Sequence, residues 1–386
     1  MDNVSLTGVW AHFTLFQLFE TALFSLTIGF GRFWYTKLHS MYKCVWIVLV
    51  LSLSPAPSVG QSTGLFGADS ALQLVLAGDV RQLLNDRKQD PTYYPMSLIW
   101  NLGSQWDTVQ IRARTRGHFR RQASVCTYPP ILLNFSKEGA ANTLFTGQDK
   151  LKLVLPCQGE KYVMREYVVY QLFQQLTPKG FRARRVELQF QEKGRLSKPI
   201  AAILLEDEHE MAARNEMKLL ENQIVKPTDT NPDDFLRMAM FQLMIGNTDW
   251  SVQYQQNVKL VQDKAVNRPT PVPYDFDHSG LVSAPYAKPA AELKLNSVRE
   301  RRYRGNCQPD PGAFDAVIAE FKSKRESFFA VCRNAAYLDE ASRKFMIGYL
   351  EDFFELLNNA DRLRRVLAYP CDPAGTGNVI IKGMKP

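Results

Sequence analysis

The feature that most constrains the fold is a change of hydrophobic pattern near Glu206. From about residue 108 to 205, short alternating or apolar runs are bounded by Pro, Gly or Asp, a pattern typical of β-strands. After the acidic connector Glu206–Glu208, apolar residues recur at helical spacing. A strand-rich half followed by a helix-rich half predicts an α+β chain of two lobes, with any site in the cleft between them.

The same patterns predict the individual elements. Strands are predicted at Thr108–Arg114, Ile131–Phe135, Lys150–Leu155, Arg185–Phe190 and Ile200–Leu205. Helices are predicted at Val163–Leu176, Phe235–Ile245, Gly312 to about Val331 and Leu338 to about Leu367. The expected division is an N-terminal extension at 61–107, an N-lobe at 108–206, a C-lobe at 207–371 and a tail at 372–386.

The first sixty residues are predicted to be a targeting segment. Residues 41–60 have the basic start, apolar centre and small-residue end of a signal peptide, with cleavage near Gly60. Residues 1–40 are expected to result from a start codon that was assigned too early. The alternative is a membrane span at 9–30, but Glu20 in its middle raises the free energy of insertion into the bilayer. We therefore expect an exported protein, periplasmic or extracellular, which is membrane-anchored only if residues 9–30 are retained.

Five cysteines remain after the signal peptide, and exported proteins meet an oxidising compartment in which disulfides persist. Cys126 and Cys157 flank the predicted sheet and form the first expected pair. Cys307 with either Cys332 or Cys371 is the second, because connectivity cannot be read from sequence.

Charge and motifs exclude several classes of protein. The formal net charge of +8 permits polyanion binding, but no basic block demands it, so nucleic acid is not an expected partner. The sequence contains no G-x-G-x-x-G, G-x-x-x-x-G-K-[ST], H-E-x-x-H or C-x-x-C motif. It therefore does not read as a P-loop NTPase, a common dinucleotide enzyme, a zincin or a zinc ribbon.

Two polar segments in the helix-rich half carry the candidate chemistry. Asp249 follows a predicted helix, Asn257 begins the next apolar run, and Asp275 and Asp277 follow the run after that. Phosphoryl transfer needs one carboxylate to orient the acceptor hydroxyl, and an Asp with an Asn to hold Mg²⁺ on the phosphates. Turn chemistry explains either segment alone, but the ordered pair favours a catalytic site.

The order of several short motifs is more specific than any one of them. The motifs are Arg116-Gly117, Leu144-Phe145, Lys150–Leu153, Glu166-Tyr167, Leu204–Glu206, Gly246–Trp250 and Tyr274–Asp277. From about Ile111 to Gly280, this order resembles the CotH family of atypical protein kinases, and it is similar to a set of uncharacterised exported proteins, chiefly from Bacteroidota. The resemblance implies a two-lobed protein-kinase-like fold, with a small β-rich N-lobe containing one main helix and a mostly helical C-lobe.

The resemblance also implies roles for the acidic residues. Asp249 corresponds to the catalytic Asp and Asn257 to the metal-binding Asn of kinase-like folds. Asp275 corresponds to the metal-binding Asp, and Asp277 is a possible second ligand. ATP and either Mg²⁺ or Mn²⁺ are the cofactors that these roles imply.

Further roles for the strand-rich half follow from the same resemblance. In such folds a small-lobe Lys pairs with the phosphates and with a helix acid, and Lys152 and Glu166 are the best matches, with Lys150 and Lys137 as rivals. The connector between the lobes, which contacts the nucleotide, would include Glu206.

The basic segment around Gly117 stands where a turn would cover the phosphates. Gly117 permits a tight turn, and Arg116 and Arg120 could clamp phosphate oxygens. The alternative is a solvated strand edge whose arginines prevent edge-to-edge association.

The sequence thus predicts an exported CotH-like kinase that transfers the γ-phosphoryl group of ATP to a hydroxyl of a protein or surface glycan. The first alternative is a catalytically inactive, pseudokinase-like binding or assembly module of the cell envelope. The second is nucleotidyl transfer (AMPylation), reached if the nucleotide binds in reverse.

Overall fold

The computed structural model describes residues 64–103, 105–221 and 223–372. The expected signal peptide at 41–60, the candidate span at 9–30 and all but the first residue of the expected tail lie outside the described residues. Within the described ranges, no helix combines the length and the apolar character needed to cross a membrane.

Within these ranges, seven strands close into a barrel. The strands are β1 (Leu72–Gly78), β2 (Tyr94–Leu102), β3 (Gln105–Thr115), β4 (Ile131–Phe135), β5 (Lys150–Val154), β6 (Ala183–Glu192) and β8 (Ile200–Leu205). The two-residue β7 (Arg195–Leu196) pairs antiparallel with the end of β6. Their order is β1-β2-β3-β4-β5-β8-β6, and β6 pairs back onto β1. The β1–β6 pair is parallel and the other neighbours are antiparallel, since an odd number of strands cannot alternate around a closed sheet.

Alternate residues of the barrel strands point inward and form one apolar core. In β1, for example, Leu74 lies opposite Trp100 on one side and Leu188 on the other. Phe145, from the β4–β5 connection, fills the centre, with its ring centroid 5.0 Å from those of Trp100 and Phe135. Because apolar side chains fill this interior, the polar site residues lie on the outside of the barrel.

The expectation of a two-lobed kinase-like fold is wrong. Strands β1 and β2 come from residues 61–107, which the sequence pattern assigned to an extension, and they close the sheet. Closure satisfies the strand edges that a β-rich lobe starting at residue 108 would expose. The helix-rich half also contains a three-stranded sheet of β9 (Met217–Leu220), β10 (Val258–Asp263) and β11 (Thr270–Pro273).

The four predicted helical segments are helical, two of them interrupted, and three short helices at Val80–Asn85, Lys137–Ala140 and Glu208–Arg214 were not predicted. They are α1 (Val80–Asn85), α2 (Lys137–Ala140), α3 (Glu160–Gln174), α4 (Glu208–Arg214), α5 (Pro232–Ile245), α6 (Asp315–Ser323), α7 (Arg325–Asn334), α8 (Glu340–Asn358) and α9 (Ala360–Leu367). The predicted helix from Gly312 is interrupted at Lys324, and the last one at Asn359. Asn359 begins a new helix because its side chain accepts a hydrogen bond from the backbone N–H of Arg362.

Helix α3 joins the barrel to the helix-rich half. Its buried residues share an apolar cluster with outward-facing barrel residues such as Ile203 and Leu205. On its other side the ring of Phe173 packs edge-on against Phe241 of α5, with centroids 4.8 Å apart. One continuous core therefore fixes the barrel surface relative to the end of α5, where the candidate carboxylates begin.

Two disulfides cross-link the described part of the chain. The expected Cys126–Cys157 pair is confirmed. Cys307 pairs with Cys371, one of its two expected partners, and Cys332 is buried as a free thiol. Two disulfides are typical of proteins that mature in an oxidising compartment.

Candidate active site

Eight of the nine residues predicted for the site line one cleft of about 120 Å³ against the barrel's outer face. They are Arg116, Gly117, Lys152, Glu166, Asp249, Asn257, Asp275 and Asp277. They come from the loop after β3, strand β5, helix α3 and the segments that follow α5 and β11. Segments that are far apart in the sequence thus converge in one cleft.

The turn after α5 sets the position of Asp249. Gly246 ends the helix with a left-handed backbone, φ +65°, and turns the chain towards the cleft. A Cβ atom on Gly246 would lie 2.0 Å from the Oη atom of Tyr349, so a larger residue would displace that hydroxyl. The side chain of Asn247 then accepts a 3.0 Å hydrogen bond from the backbone N–H of Asp249.

Two amides hold the Asp249 carboxylate. The Nδ2 atom of Asn257 donates to its Oδ2 at 3.1 Å and to the Asp249 backbone carbonyl at 2.8 Å. The amide of Gln256 donates to the other carboxylate oxygen. Burial raises the pKa of Asp249, an effect that His278 partly opposes. A fixed, partly desolvated carboxylate of this kind is suited to accept a proton from a hydroxyl.

Asp275 and Asp277 follow strand β11 in a strained turn. Asp275 has a left-handed backbone, φ +60°, and its N–H donates to Tyr170 Oη at 3.0 Å. This turn brings both carboxylates to the cleft beside Glu166 of α3. Burial and the adjacent Asp277 raise the pKa of Asp275.

One guanidinium lies among three carboxylates. Arg120 Nη1 lies 3.0 Å from an oxygen of Asp277, 3.9 Å from one of Glu166 and 4.0 Å from one of Asp275. Burial disfavours the charge on Asp277, but Arg120 holds the pKa of that carboxyl below its usual value. Burial raises the pKa of Glu166 to about 8 in spite of Arg120. Arg120 thus favours the ionised form of Asp277, whereas burial favours the neutral form of Glu166.

The expected Lys152–Glu166 pair is not formed. Lys152 Nζ lies 2.6 Å from a carboxylate oxygen of Glu208, while Glu166 faces Arg120 instead. Lys259 also approaches Glu208, at 3.2 Å. Burial lowers the pKa of Lys152, although Glu208 opposes the shift. Helix α3 places Glu166 on the side of the cleft that contains Arg120. The first turn of α4 supplies Glu208, the partner of Lys152.

The loop after β3 carries Arg116 and Gly117 to the cleft. Gly117 has φ +76°, and a Cβ there would meet no atom within 4 Å, so the backbone conformation and not space requires glycine. The N–H of Arg116 donates to the carbonyl of Pro130 at 2.9 Å, which ties the start of the loop to β4. The resulting turn leaves the backbone open for a ligand to approach.

Glu206 lies outside the cleft, contrary to its predicted role in contacting the nucleotide. Its side chain is fully buried and binds Arg182 at 2.7 Å and Arg214 at 3.0 Å. A buried carboxylate surrounded by two guanidiniums is satisfied internally, so Glu206 stabilises the junction between β8 and α4.

The residues expected to bind a metal do not fit a divalent cation in this arrangement. The described ranges contain no group of three or more His, Cys, Asp or Glu residues placed to hold a metal ion. Mg²⁺ requires oxygens at about 2.1 Å, whereas the cation beside these aspartates is Arg120, with Nη1 3.0 Å from an oxygen of Asp277 and 4.0 Å from one of Asp275. The amide nitrogen of Asn257 is directed at Asp249. We therefore assign no chemical step to a metal.

Several residues of the site had no clear sequence signal. Tyr286 donates a 3.0 Å hydrogen bond to Asp277 from nine positions further along the chain. Glu208, the partner of Lys152, appeared only as part of an acidic connector. Gln256 could have been found, because it directly precedes Asn257 and both amides hold the same carboxylate.

Comparisons with known proteins give distant likenesses among solved structures. No protein-family model and no curated protein matches the chain. Among solved structures, the proinflammatory kinase CtkA from Helicobacter pylori is similar to 62% of this chain and 91% of its own, with 11% sequence identity and a TM-score of 0.35. A likeness this distant does not place the chain in a family, and membership of the CotH family stays a prediction.

Proposed function

We propose that this protein is a phosphotransferase that holds the terminal phosphates of ATP in the cleft and transfers the γ-phosphoryl group to an acceptor hydroxyl. The hydroxyl oxygen forms a bond to the γ-phosphorus as the bond to the β–γ bridging oxygen breaks. The acceptor proton passes to Asp249, and ADP leaves. The acceptor class that fits the expected export is a protein or surface glycan.

The observation that carries this proposal is the convergence of a held carboxylate with basic side chains in one cleft. Asp249 is fixed by Asn257 and Gln256, and burial raises its pKa towards that of a useful base. Arg116 and Lys152 line the same cleft, and guanidinium and ammonium groups are the usual protein partners of phosphate oxygens.

A binding experiment tests the first half of the proposal. The melting temperature of the full chain is measured with ATP and with adenosine. ATP should raise it and adenosine should not, because the cleft contacts phosphates. Arg116→Gln and Lys152→Met should reduce the ATP shift, whereas Asp249→Asn should retain it. Arg112→Gln removes an equal charge from an exposed position on β3 outside the cleft and should leave the shift unchanged.

The outcome that contradicts nucleotide binding is equally clear. Either no shift with ATP, or a shift that both cleft variants leave intact, would show that the triphosphate is not held here. A positive shift would then justify following the label of the γ-phosphate into an acceptor.

The size of the cleft favours a second candidate, a module that binds an anionic group without transferring it. About 120 Å³ is smaller than the roughly 300–1,000 Å³ of most small-molecule sites. It suits one phosphate-sized group, so the base and ribose of a nucleotide would lie outside the cavity. Stabilisation by inorganic phosphate or pyrophosphate, with no label transfer from ATP, would favour this binding module.

Export is part of the proposal. Two disulfides in the described residues support an oxidising destination. Sequencing the N-terminus of protein secreted by its host should find a start near Gln61, and an intact N-terminus in membranes would contradict signal-peptide cleavage.

A further inference from the structure

We propose that Arg120 is the resident cation of this cleft, and that it takes the place between Asp275 and Asp277 that a divalent ion takes in metal-dependent phosphotransferases. It is thus a positioning residue: it holds the two aspartates together, and ligand binding needs no metal at this cluster. The statement about nucleotide rests on the proposed function, but the statement about metal does not.

The geometry of the cluster carries the inference. Nη1 of Arg120 is within 4.0 Å of oxygens from all three carboxylates and forms its shortest contact, 3.0 Å, with Asp277. A divalent ion would need oxygens at about 2.1 Å, beside the Asp277 oxygen with which Arg120 Nη1 already forms its ion pair. The side chain of Arg120 is only 12% exposed, so solvent does not screen these contacts strongly.

The oxygen that Arg120 binds is already well supplied with donors. Oδ2 of Asp277 accepts a hydrogen bond from Arg120 Nη1 and another from Tyr286 Oη, both at 3.0 Å. The ring of Tyr286 packs against Phe119, the residue before Arg120, with centroids 6.1 Å apart. The contact between Tyr286 and Phe119 and the ion pair between Arg120 and Asp277 therefore stabilise the same turn.

The backbone around Arg120 is built into the fold. The guanidinium of Arg87 donates hydrogen bonds to three carbonyls of the following segment, those of Arg121, Cys126 and Thr127, at 3.1, 2.9 and 2.7 Å. The Cys126–Cys157 disulfide anchors the same segment next to the start of α3. These attachments fix the backbone of the segment that follows Arg120.

Metal alone is the first probe. The melting temperature of the full chain is measured while MnCl₂ or MgCl₂ is titrated in the absence of nucleotide. The wild-type protein should shift by less than about 1 °C, whereas Arg120→Gln, which leaves the aspartates without a cation, should gain a saturable shift of about 5 °C at a metal concentration near 100 times its dissociation constant. Arg112→Gln is the matched control and should behave as wild type.

A saturable metal shift in the wild-type protein that Arg120→Gln does not increase would overturn the inference. If Arg120→Gln does not fold, the wild-type titration decides alone: saturable stabilisation by either metal overturns the inference, and its absence up to millimolar metal supports it.

Nucleotide is the second probe, in wild-type protein with ATP in EDTA and with ATP in Mg²⁺. Equal shifts in the two conditions support a resident cation, and a shift that EDTA abolishes overturns it. No shift in either condition counts against the proposed function instead, and the titration with metal alone then still decides the role of Arg120.

Discussion

Replacing Gly246 by alanine should disturb the turn that presents Asp249. The new Cβ would lie 2.0 Å from Tyr349 Oη and 3.1 Å from its Cζ. Tyr349 would have to move, and its hydroxyl would lose the 3.0 Å hydrogen bond to the carbonyl of Arg299. The left-handed backbone, φ +65°, adds strain that glycine does not have.

The cost follows from three contributions. A left-handed alanine costs about 1 kcal/mol more than glycine. Overpacking against Tyr349 costs about 1–3 kcal/mol, and the lost hydrogen bond about 1 kcal/mol. We expect Gly246→Ala to lower the free energy of unfolding by about 3–5 kcal/mol, equivalent to roughly 6–10 °C in melting temperature.

A double-mutant cycle with Tyr349→Phe tests the reasoning. Urea unfolding gives the free energy for each single variant and for the pair, and Gly246→Ala should cost at least about 1 kcal/mol less when Oη is absent. Gly348→Ala is the control, because a Cβ there meets no atom within 4 Å and the residue lies inside α8, so it should be neutral or slightly stabilising. Equal costs of Gly246→Ala in both backgrounds would refute the proposed clash.

Three further predictions concern stability. Glu206→Gln should lower the free energy of unfolding by about 2–4 kcal/mol because it leaves two arginines without their buried counter-charge, while exposed Glu187→Gln should change it little in the same urea titration. Replacing both Cys126 and Cys157 by serine should lower the free energy of unfolding by about 3–4 kcal/mol, because the disulfide closes a loop of 31 residues. It should also increase protease cleavage in the segment that begins after residue 116. Unchanged stability and cleavage would contradict the anchoring role of the disulfide. The pKa of Glu166 is raised from 4.5 to about 8 in the folded protein, so the free energy of unfolding should fall as pH rises from about 4.5 to 8. Glu166→Gln cannot ionise and should remove roughly 3–5 kcal/mol of that fall. Parallel profiles of melting temperature against pH for the wild type and Glu166→Gln would contradict this.

Local sequence patterns predicted most of the individual strands and helices. They did not predict the closure of the barrel, which depends on pairing between distant strands. The strand at Ile131–Phe135 and the end of α5 at Gly246 follow from apolar periodicity and turn chemistry, which act over a few residues. Strands β1 and β2 also alternate, but their role depends on the parallel pairing of β1 with β6 more than a hundred residues later. Nothing in a local window specifies such a partner, so the barrel could not be read from the sequence.

The candidate site shows the same division. Asp249, Asp275 and Asp277 were found because each follows an apolar run, and Asn257 because it begins one. The structure brings all four to the same cleft. The partner of each charge was not predictable, since alternation and helical spacing give the face of a side chain but not which opposite charge lies across from it. Arg120 illustrates this, as a basic residue in a loop expected to clamp phosphate that instead contacts three acids.

The central claim, that Asp249 supports phosphoryl transfer in this cleft, is tested most directly by following the labelled γ-phosphoryl group of ATP. The label is followed into exported proteins and glycans of the host and into free phosphate, with wild-type protein and with Asp249→Asn, after both are shown to bind ATP equally. The account predicts transfer by the wild type and a decrease of about 10²–10⁴-fold in Asp249→Asn. Equal transfer by both proteins, or none by a wild-type protein that binds ATP, would contradict it.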